Sequence, residues 1–90
     1  MPFKYRKKPV EIEAMQFDGT ALNAKDIYEW SNGSAWIDKT ATQLGERHVM
    51  RVETLEGLMT AEMGDYIVKG IEGEFYSVKE SIFDASYELL

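Results

Sequence analysis

Residues 54–78, TLEGLMTAEMGDYIVKGIEGEFYSV, contain two Glu-Gly pairs that interrupt runs of strand-forming residues. Glycine supplies the positive φ that a tight turn needs, so Glu56-Gly57 and Glu72-Gly73 predict two successive β-hairpins. Between them, Met63-Gly64-Asp65 interrupts the strand pattern again and predicts a third turn. This stretch therefore predicts most of a β-meander or of a small barrel.

Strand register follows if each Glu-Gly pair is a two-residue turn. The predicted pairs are Leu55–Leu58, Thr54–Met59, Glu53–Thr60 and Val52–Ala61 in the first hairpin, and Lys69–Tyr76 and Ile67–Val78 in the second. One face of the first hairpin then carries Met50, Val52, Met59 and Ala61. The second register leaves Val68 and Phe75 on the face opposite to Ile67. Apolar residues on both faces are typical of a covered or closed sheet.

The rest of the chain predicts shorter elements around these hairpins. Val10–Ala14 alternates apolar and acidic residues as a half-buried strand does, and Asn23 can cap a helix over Ala24–Ser31 that ends at Asn32-Gly33. Also predicted are a short strand at Ala35–Lys39, a loop at Thr40–Arg47, a strand at His48–Leu55, a helical turn at Ser81–Asp84, and a closing strand at Tyr87–Leu89 beside the first one. The fold class is α+β, mainly antiparallel β, as a small twisted sheet or partly closed barrel of about five to seven strands with one short helix.

Size and composition indicate one ordinary globular domain. The chain has 90 residues, of which 44% are hydrophobic and 29% charged, so we expect residues 1–90 to form a single domain. The net charge of −6 argues against binding to duplex nucleic acid. No apolar run is long enough for a membrane span or a signal peptide, which predicts a cytoplasmic protein without membrane contact. The absence of cysteine excludes disulfides and thiolate metal sites.

Catalytic and metal-binding patterns are weak, and we expect no enzymatic activity, no cofactor and no metal. The one histidine, His48, has Arg47 and Arg51 nearby, which could serve phosphodiester chemistry. A lone histidine at a strand start is more often structural. Glu11 and Glu13 could bind a hard cation together with Asp18, yet solvated acids on an outer strand face are commoner.

The amino terminus is basic although the chain as a whole is acidic. Lys4, Arg6, Lys7 and Lys8 are four of the ten basic residues. They predict either a solvated segment that deters strand-to-strand aggregation or a patch that binds anions. The first alternative is the commoner one, and Tyr5, which lies inside this cluster, is compatible with the second.

The chain has more aromatic residues than one small core can enclose. The predicted core consists of Trp30, Phe75 and Phe83 with Val68 and Ile82. The predicted ligand-binding residues are Tyr5, Arg6, Lys8, Tyr66, Lys69 and Tyr76. Their tyrosine rings could stack on a base while the cations hold its phosphate, or the rings could seal a contact between subunits.

Two blocks of this chain, YRKKPVEIEAMQ at residues 5–16 and GDYIVKGIEGEFY at residues 64–76, resemble a family of short proteins from tailed bacteriophages and prophages. Many members of that family have proline before the Gly-Asp pair, where this chain has Met63. The resemblance implies a phage origin, and hence action in the host cytoplasm during infection, more firmly than it implies an activity.

Two classes of function compete. The first is a non-enzymatic binding module that captures a host protein or an anionic small molecule, such as a nucleotide used as an immune signal, and so counters host defence. The second is a structural or assembly accessory of the phage that acts through oligomerisation. We expect a homo-oligomer in either case, because a small aromatic-rich domain gains stability by burying surface against a symmetric partner.

Overall fold

Six strands and two helices make up the protein in the computed structural model, which describes residues 1–90. In chain order the elements are β1 (Glu13–Gln16), α1 (Ala21–Trp30), β2 (Ala35–Thr42), β3 (Gly45–Thr54), β4 (Gly57–Ala61), β5 (Tyr66–Lys69), β6 (Phe75–Val78) and α2 (Glu80–Ser86). Every strand pairing is antiparallel. The α+β class with mainly antiparallel strands is therefore confirmed, and the helical turn predicted at Ser81–Asp84 lies within the longer helix α2.

The strands form two three-stranded sheets and no closed barrel. Sheet 1 has the order β1-β5-β6 and sheet 2 has the order β2-β3-β4. Phe17 joins β1 to the turn before β5: its N–H donates to the carbonyl of Asp65 (2.9 Å), and its own carbonyl accepts from the N–H of Gly64 (2.7 Å). The edge strands β4 and β6 contact each other, so the two sheets pack along these edges. Partial closure into a barrel is not confirmed.

The core lies between the two sheets and beneath α1. Its nine buried residues are Phe17, Ala24, Ile27, Ala35, Met50, Val52, Ala61, Ile67 and Phe75. Trp30 packs edge-to-face on Phe75 with ring centroids 5.2 Å apart. Three residues predicted for the core lie outside this cluster: Val68 is buried on the other face of sheet 1, Phe83 is half-buried and Ile82 is 55% exposed. The reason is that α2 packs on the outer face of sheet 1 and not between the sheets.

The observed register of β3 and β4 differs from the predicted one by two residues. Thr54 pairs with Gly57, so the loop is Leu55-Glu56 and Gly57 begins β4. The predicted pairs of this hairpin are therefore wrong. The predicted faces are right, because side chains alternate with a period of two and an even shift preserves the face. The observed pairs on the core face are Met50–Ala61 and Val52–Met59.

The observed register of β5 and β6 differs from the predicted one by one residue. The observed pairs are Tyr66–Val78, Ile67–Ser77, Val68–Tyr76 and Lys69–Phe75, so the predicted pairs Lys69–Tyr76 and Ile67–Val78 are wrong. The loop spans residues 70–74, and the N–H of Gly70 donates to the carbonyl of Glu74 (2.7 Å) to close it. An odd shift exchanges the faces. Ile67 and Phe75 therefore share the core face, while Val68 and Tyr76 share the outer one.

The segment Thr40–Arg47, predicted as a loop, is the tip of the hairpin formed by β2 and β3. Thr42 pairs with Gly45 around the two-residue loop Gln43-Leu44. The strand predicted at Ala35–Lys39 thus continues to Thr42. Gly45 has φ 122°, which is the conformation that this turn requires and that glycine adopts without strain.

Helix α1 begins three residues earlier than predicted because Thr20, and not Asn23, caps it. The Oγ1 of Thr20 accepts a hydrogen bond from the N–H of Asn23 (3.2 Å). The side chain of Asn23 instead joins the helix to β1, since its Oδ1 accepts from the N–H of Asp18 (2.9 Å) and its Nδ2 donates to the carbonyl of Gln16 (3.1 Å). The predicted stop is confirmed, with Asn32 at φ 53° and Gly33 at φ 82°.

The two predicted terminal strands are wrong. Residues 1–12 have no regular secondary structure, and the first strand is Glu13–Gln16 instead of Val10–Ala14. Tyr87–Leu89 pairs with no strand, because the ring of Tyr87 stacks on Phe83 with centroids 4.9 Å apart and holds the end of the chain against α2.

Candidate functional site

Tyr66 and Tyr76, two of the predicted ligand-binding residues, lie on the outer face of sheet 1. Tyr66 stacks on Phe83 of α2, with centroids 3.8 Å apart and ring planes 10° from parallel, and Phe83 stacks in turn on Tyr87. We call Tyr66, Tyr76, Phe83 and Tyr87 the outer aromatic cluster. Because one face of the Tyr66 ring is already covered by Phe83, it is less available for a base than the sequence analysis assumed.

Tyr76 is a neutral hydrogen-bonding group within this cluster. Burial raises the pKa of its hydroxyl, and the neighbouring Tyr87 and Glu74 raise it further. Lys7 approaches the same cluster from the amino-terminal segment: its Nζ donates to the hydroxyl of Tyr87 (3.3 Å) and lies 5.4 Å from the centroid of that ring. A cation–π contact of this kind holds the chain near residue 7 against the body of the protein.

The remaining predicted site residues do not join the two tyrosines. Lys69 lies on the opposite face of β5, where its Nζ is 4.0 Å from a carboxylate oxygen of Glu13. Tyr5, Arg6 and Lys8 are exposed in the segment without regular structure. The structure thus brings Tyr66 and Tyr76 to one face but places none of the three predicted cations beside them; the nearby cation is Lys7.

A groove opens where the core between the sheets reaches the surface. It has a volume of about 320 Å³ and is lined by Thr54, Leu55, Glu56, Met59, Glu74, Phe75 and Tyr76. Its apolar floor is the end of the core: Phe75 is only 8% exposed and belongs to the core cluster. Of the predicted site residues, Tyr76 alone lines this groove.

Two turns position the residues of the groove. On one side Thr54 holds the β3–β4 turn, because its Oγ1 donates to the carbonyl of Gly57 (2.6 Å) and accepts from the N–H of Glu56 (3.2 Å). On the other side the carboxylate of Glu74 accepts from the N–H of Glu72 (3.1 Å). Both glutamates near the groove therefore belong to well-defined turns and not to flexible strand ends.

The electrostatics of the groove favour a cation. Glu56 and Glu74 are among its lining residues, and that lining includes no lysine, arginine or histidine. A phosphate would be repelled there, whereas a lysine or arginine next to an apolar side chain would be attracted. This groove was not predicted from the sequence. Leu55, an apolar residue in a turn where polar residues are usual, is the signal that could have indicated it.

The structure does not bring Arg47 or Arg51 to the side chain of His48, as the phosphodiester alternative would need. Strand alternation directs Arg47 and Arg51 to the face opposite His48. Arg47 forms a bidentate ion pair with Glu62, and Arg51 binds Asp38. The Nδ1 of His48 lies 3.4 Å from the carbonyl of Gly19. His48 thus contacts the backbone just before the first residue of α1.

The structure groups no three His, Asp or Glu side chains in a way that could hold a metal ion. Neither helix has the length and apolar character needed to cross a membrane.

No protein-family model, curated protein or solved structure matches this chain.

Proposed function

We propose that this protein is a non-enzymatic binding module that captures a protein partner through the groove between β4 and β6. The observation that supports the proposal is a groove whose lining combines the apolar residues Phe75 and Met59 with two glutamates and no basic residue. The partner is a polypeptide segment with an apolar or aromatic anchor and a neighbouring lysine or arginine. Given the resemblance to phage proteins, the partner is a host factor and its capture counters host defence.

The size of the groove suits a side-chain anchor. Its volume of about 320 Å³ lies at the lower end of the range of ligand pockets, about 300–1,000 Å³. Binding energy at protein interfaces concentrates on a few buried aromatic or arginine anchors. One aromatic side chain over Phe75, with a cation near Glu74 or Glu56, would use both the apolar lining and the acidic residues of the groove.

An anionic small molecule is the second candidate. It is supported by Lys7, which lies over the ring of Tyr87 beside the outer aromatic cluster. A nucleotide held there would have its phosphate near the basic amino terminus and its base near Tyr76. This candidate ranks second because the groove next to Tyr76 carries carboxylates and because Lys69 faces away from the cluster.

A matched panel of labelled short peptides tests the first candidate by fluorescence anisotropy. One peptide has an aromatic residue flanked by Lys and Arg, the second has the same aromatic residue flanked by Glu, and the third has Ser flanked by Lys and Arg. We expect only the first to bind well, with an affinity that falls as salt rises. Leu55→Ser and Glu74→Gln should each weaken it by about tenfold.

Leu44→Ser is the matched control for Leu55→Ser, because both leucines occupy two-residue turns of sheet 2 and are highly exposed, Leu44 by 100% and Leu55 by 78%. It should leave peptide affinity unchanged. Equal binding of all three peptides, or equal loss with the two leucine variants, would contradict the proposal. Calorimetry with mono-, di- and cyclic nucleotides, repeated with Lys7→Ala, tests the second candidate, and binding that Lys7→Ala removes would replace the first proposal with it.

A further inference from the structure

The amino-terminal arm, residues 1–8 (MPFKYRKK), has the chemistry that the groove favours. Phe3 and Tyr5 alternate with Lys4 and Arg6, so aromatic and cationic side chains lie next to each other along the segment. In the structure the arm makes little use of its aromatic rings, since Phe3 is 77% exposed and Tyr5 is 90% exposed. Exposed aromatic residues beside cations are typical of a segment that binds something.

Charge is distributed so that the arm and the rest of the chain attract each other. The arm holds four of the ten basic residues and none of the sixteen acidic ones, which leaves six basic against sixteen acidic residues in the remainder. The groove contributes Glu56 and Glu74 to that acidic surface. Opposite charge on the two surfaces steers them together and penalises pairing of like surfaces.

The backbone of the arm is suited to an extended bound form. Pro9 restricts its own φ and biases Lys8 towards extended conformations. Lys7 is held at Tyr87, so the arm leaves the body of the protein at a defined point. The radius of gyration is 14.4 Å, where about 12 Å is expected for a compact chain of this length, which agrees with protruding segments. Restricting the free arm lowers the entropy lost on binding.

We propose that two copies of this chain exchange arms, with Phe3 or Tyr5 of each copy in the groove of the other and Lys4 and Arg6 near Glu56 and Glu74. The inference rests on the proposed function of the groove and adds its regulation: the arm of a second copy competes with the protein partner. A reciprocal exchange is a closed twofold arrangement that satisfies both grooves at once. A second copy is the occupant because the chain's own arm leaves its aromatic side chains exposed.

Sedimentation velocity of the full-length chain across micromolar concentrations measures the exchange. We expect a dimer that dissociates as salt rises. Lys4→Glu combined with Arg6→Glu should weaken the dimer by about tenfold or more, and so should Glu56→Lys combined with Glu74→Lys. A mixture of these two double variants should form a heterodimer. The acidic arm of the first variant would meet the basic groove of the second, and the basic arm of the second would meet the acidic groove of the first. All four positions lie outside the core cluster, and circular dichroism checks that each variant is folded.

The peptide MPFKYRKK, labelled and added to the wild-type chain, is the second probe. It should bind the groove of the wild-type chain and compete there with the basic aromatic peptide. Its binding to the Glu74→Lys variant should be much weaker. A chain that remains monomeric while the basic aromatic peptide still binds would overturn arm exchange and leave the proposed function standing. A dimer that persists in both double variants would also overturn it. A chain that binds neither peptide would contradict the proposed function itself.

Discussion

The two hairpin turns of sheet 2 have the same local structure in different surroundings. Thr42-Gln43-Leu44-Gly45 and Thr54-Leu55-Glu56-Gly57 share the pattern Thr-x-x-Gly. In both, the threonine Oγ1 donates to the glycine carbonyl, at 2.7 and 2.6 Å, and accepts from the N–H two residues on, at 3.2 Å. The glycines have φ 122° and 118°.

What differs is what lies beside each turn. The turn at Thr54–Gly57 forms one wall of the groove because β4 packs against β6. The turn at Thr42–Gly45 protrudes, with Leu44 fully exposed. Local chemistry therefore determines the shape of a turn, whereas the packing of the sheets determines whether that turn contributes to a site.

Gly45→Val and Gly57→Val should have the largest effect, because a β-branched side chain resists positive φ. We expect each to lower the free energy of unfolding by about 1–3 kcal/mol, measured by urea denaturation. A Cβ at either position would meet no atom within 4 Å, so backbone strain alone is tested and the two losses should agree. Gly73→Val, at φ 82° and equally open, extends the test to the β5–β6 loop. If either turn variant had the same urea denaturation midpoint as the wild type, positive φ would not be required at that turn.

Thr42→Val and Thr54→Val should each cost about 0.5–1.5 kcal/mol, because valine keeps the shape of threonine but loses the hydroxyl that closes the turn. Thr40→Val, within β2 and outside the four residues of either turn, is the control and should change stability by less than about 0.5 kcal/mol. If either threonine variant kept the stability of the wild type, the hydrogen bonds of the threonine hydroxyl would not be what stabilises both hairpins.

The smallest effect concerns the ion pair of Arg47 with Glu62, which joins the protruding hairpin to the end of β4. Hydrogen bonds from Arg47 lower the pKa of Glu62 below its ordinary value of 4.5. A lowered pKa means that the stabilisation is present above the unfolded-state pKa and is lost as the pH falls through the folded-state pKa. Both side chains are about half exposed, so Glu62→Gln should cost less than about 1 kcal/mol at neutral pH.

Urea denaturation at several pH values checks this ion pair. The difference between wild type and Glu62→Gln should shrink as the pH falls below 4.5. Arg47→Gln should show the same dependence, because it removes the other partner of the same pair. A difference that stayed constant with pH would contradict a stabilising charge on Glu62.

Part of the fold could be predicted because the relevant signals are local. The faces of β3 and β4 were right although the register was off by two, since alternation of apolar residues survives an even shift. The faces of β5 and β6 were wrong because the loop has five residues and not two, and the hydrogen bond from Gly70 to Glu74 that defines it is formed only in the folded loop. The Thr42–Gly45 turn was missed because Gln43-Leu44 is not a typical turn sequence.

The candidate site could be predicted only in pieces. Tyr66 and Tyr76 share a face only because the observed register pairs Tyr76 with Val68, whereas the predicted register paired it with Lys69 on the other face. Lys69 differs from Tyr66 by an odd number of positions and therefore lies on the face opposite to both tyrosines. The groove combines residues 54–59 with residues 74–76, and no periodicity within either segment indicates that they meet.

By itself the sequence determined the class of the fold, the places where glycine permits turns, the stop of α1 at Asn32-Gly33 and the basic character of the arm, because each depends on neighbours in the chain. Only the tertiary structure decided the β5–β6 register, the packing of β4 on β6 and the acidic groove between them. These depend on contacts between distant segments, whose free energy is gained only when both sheets have formed and packed together.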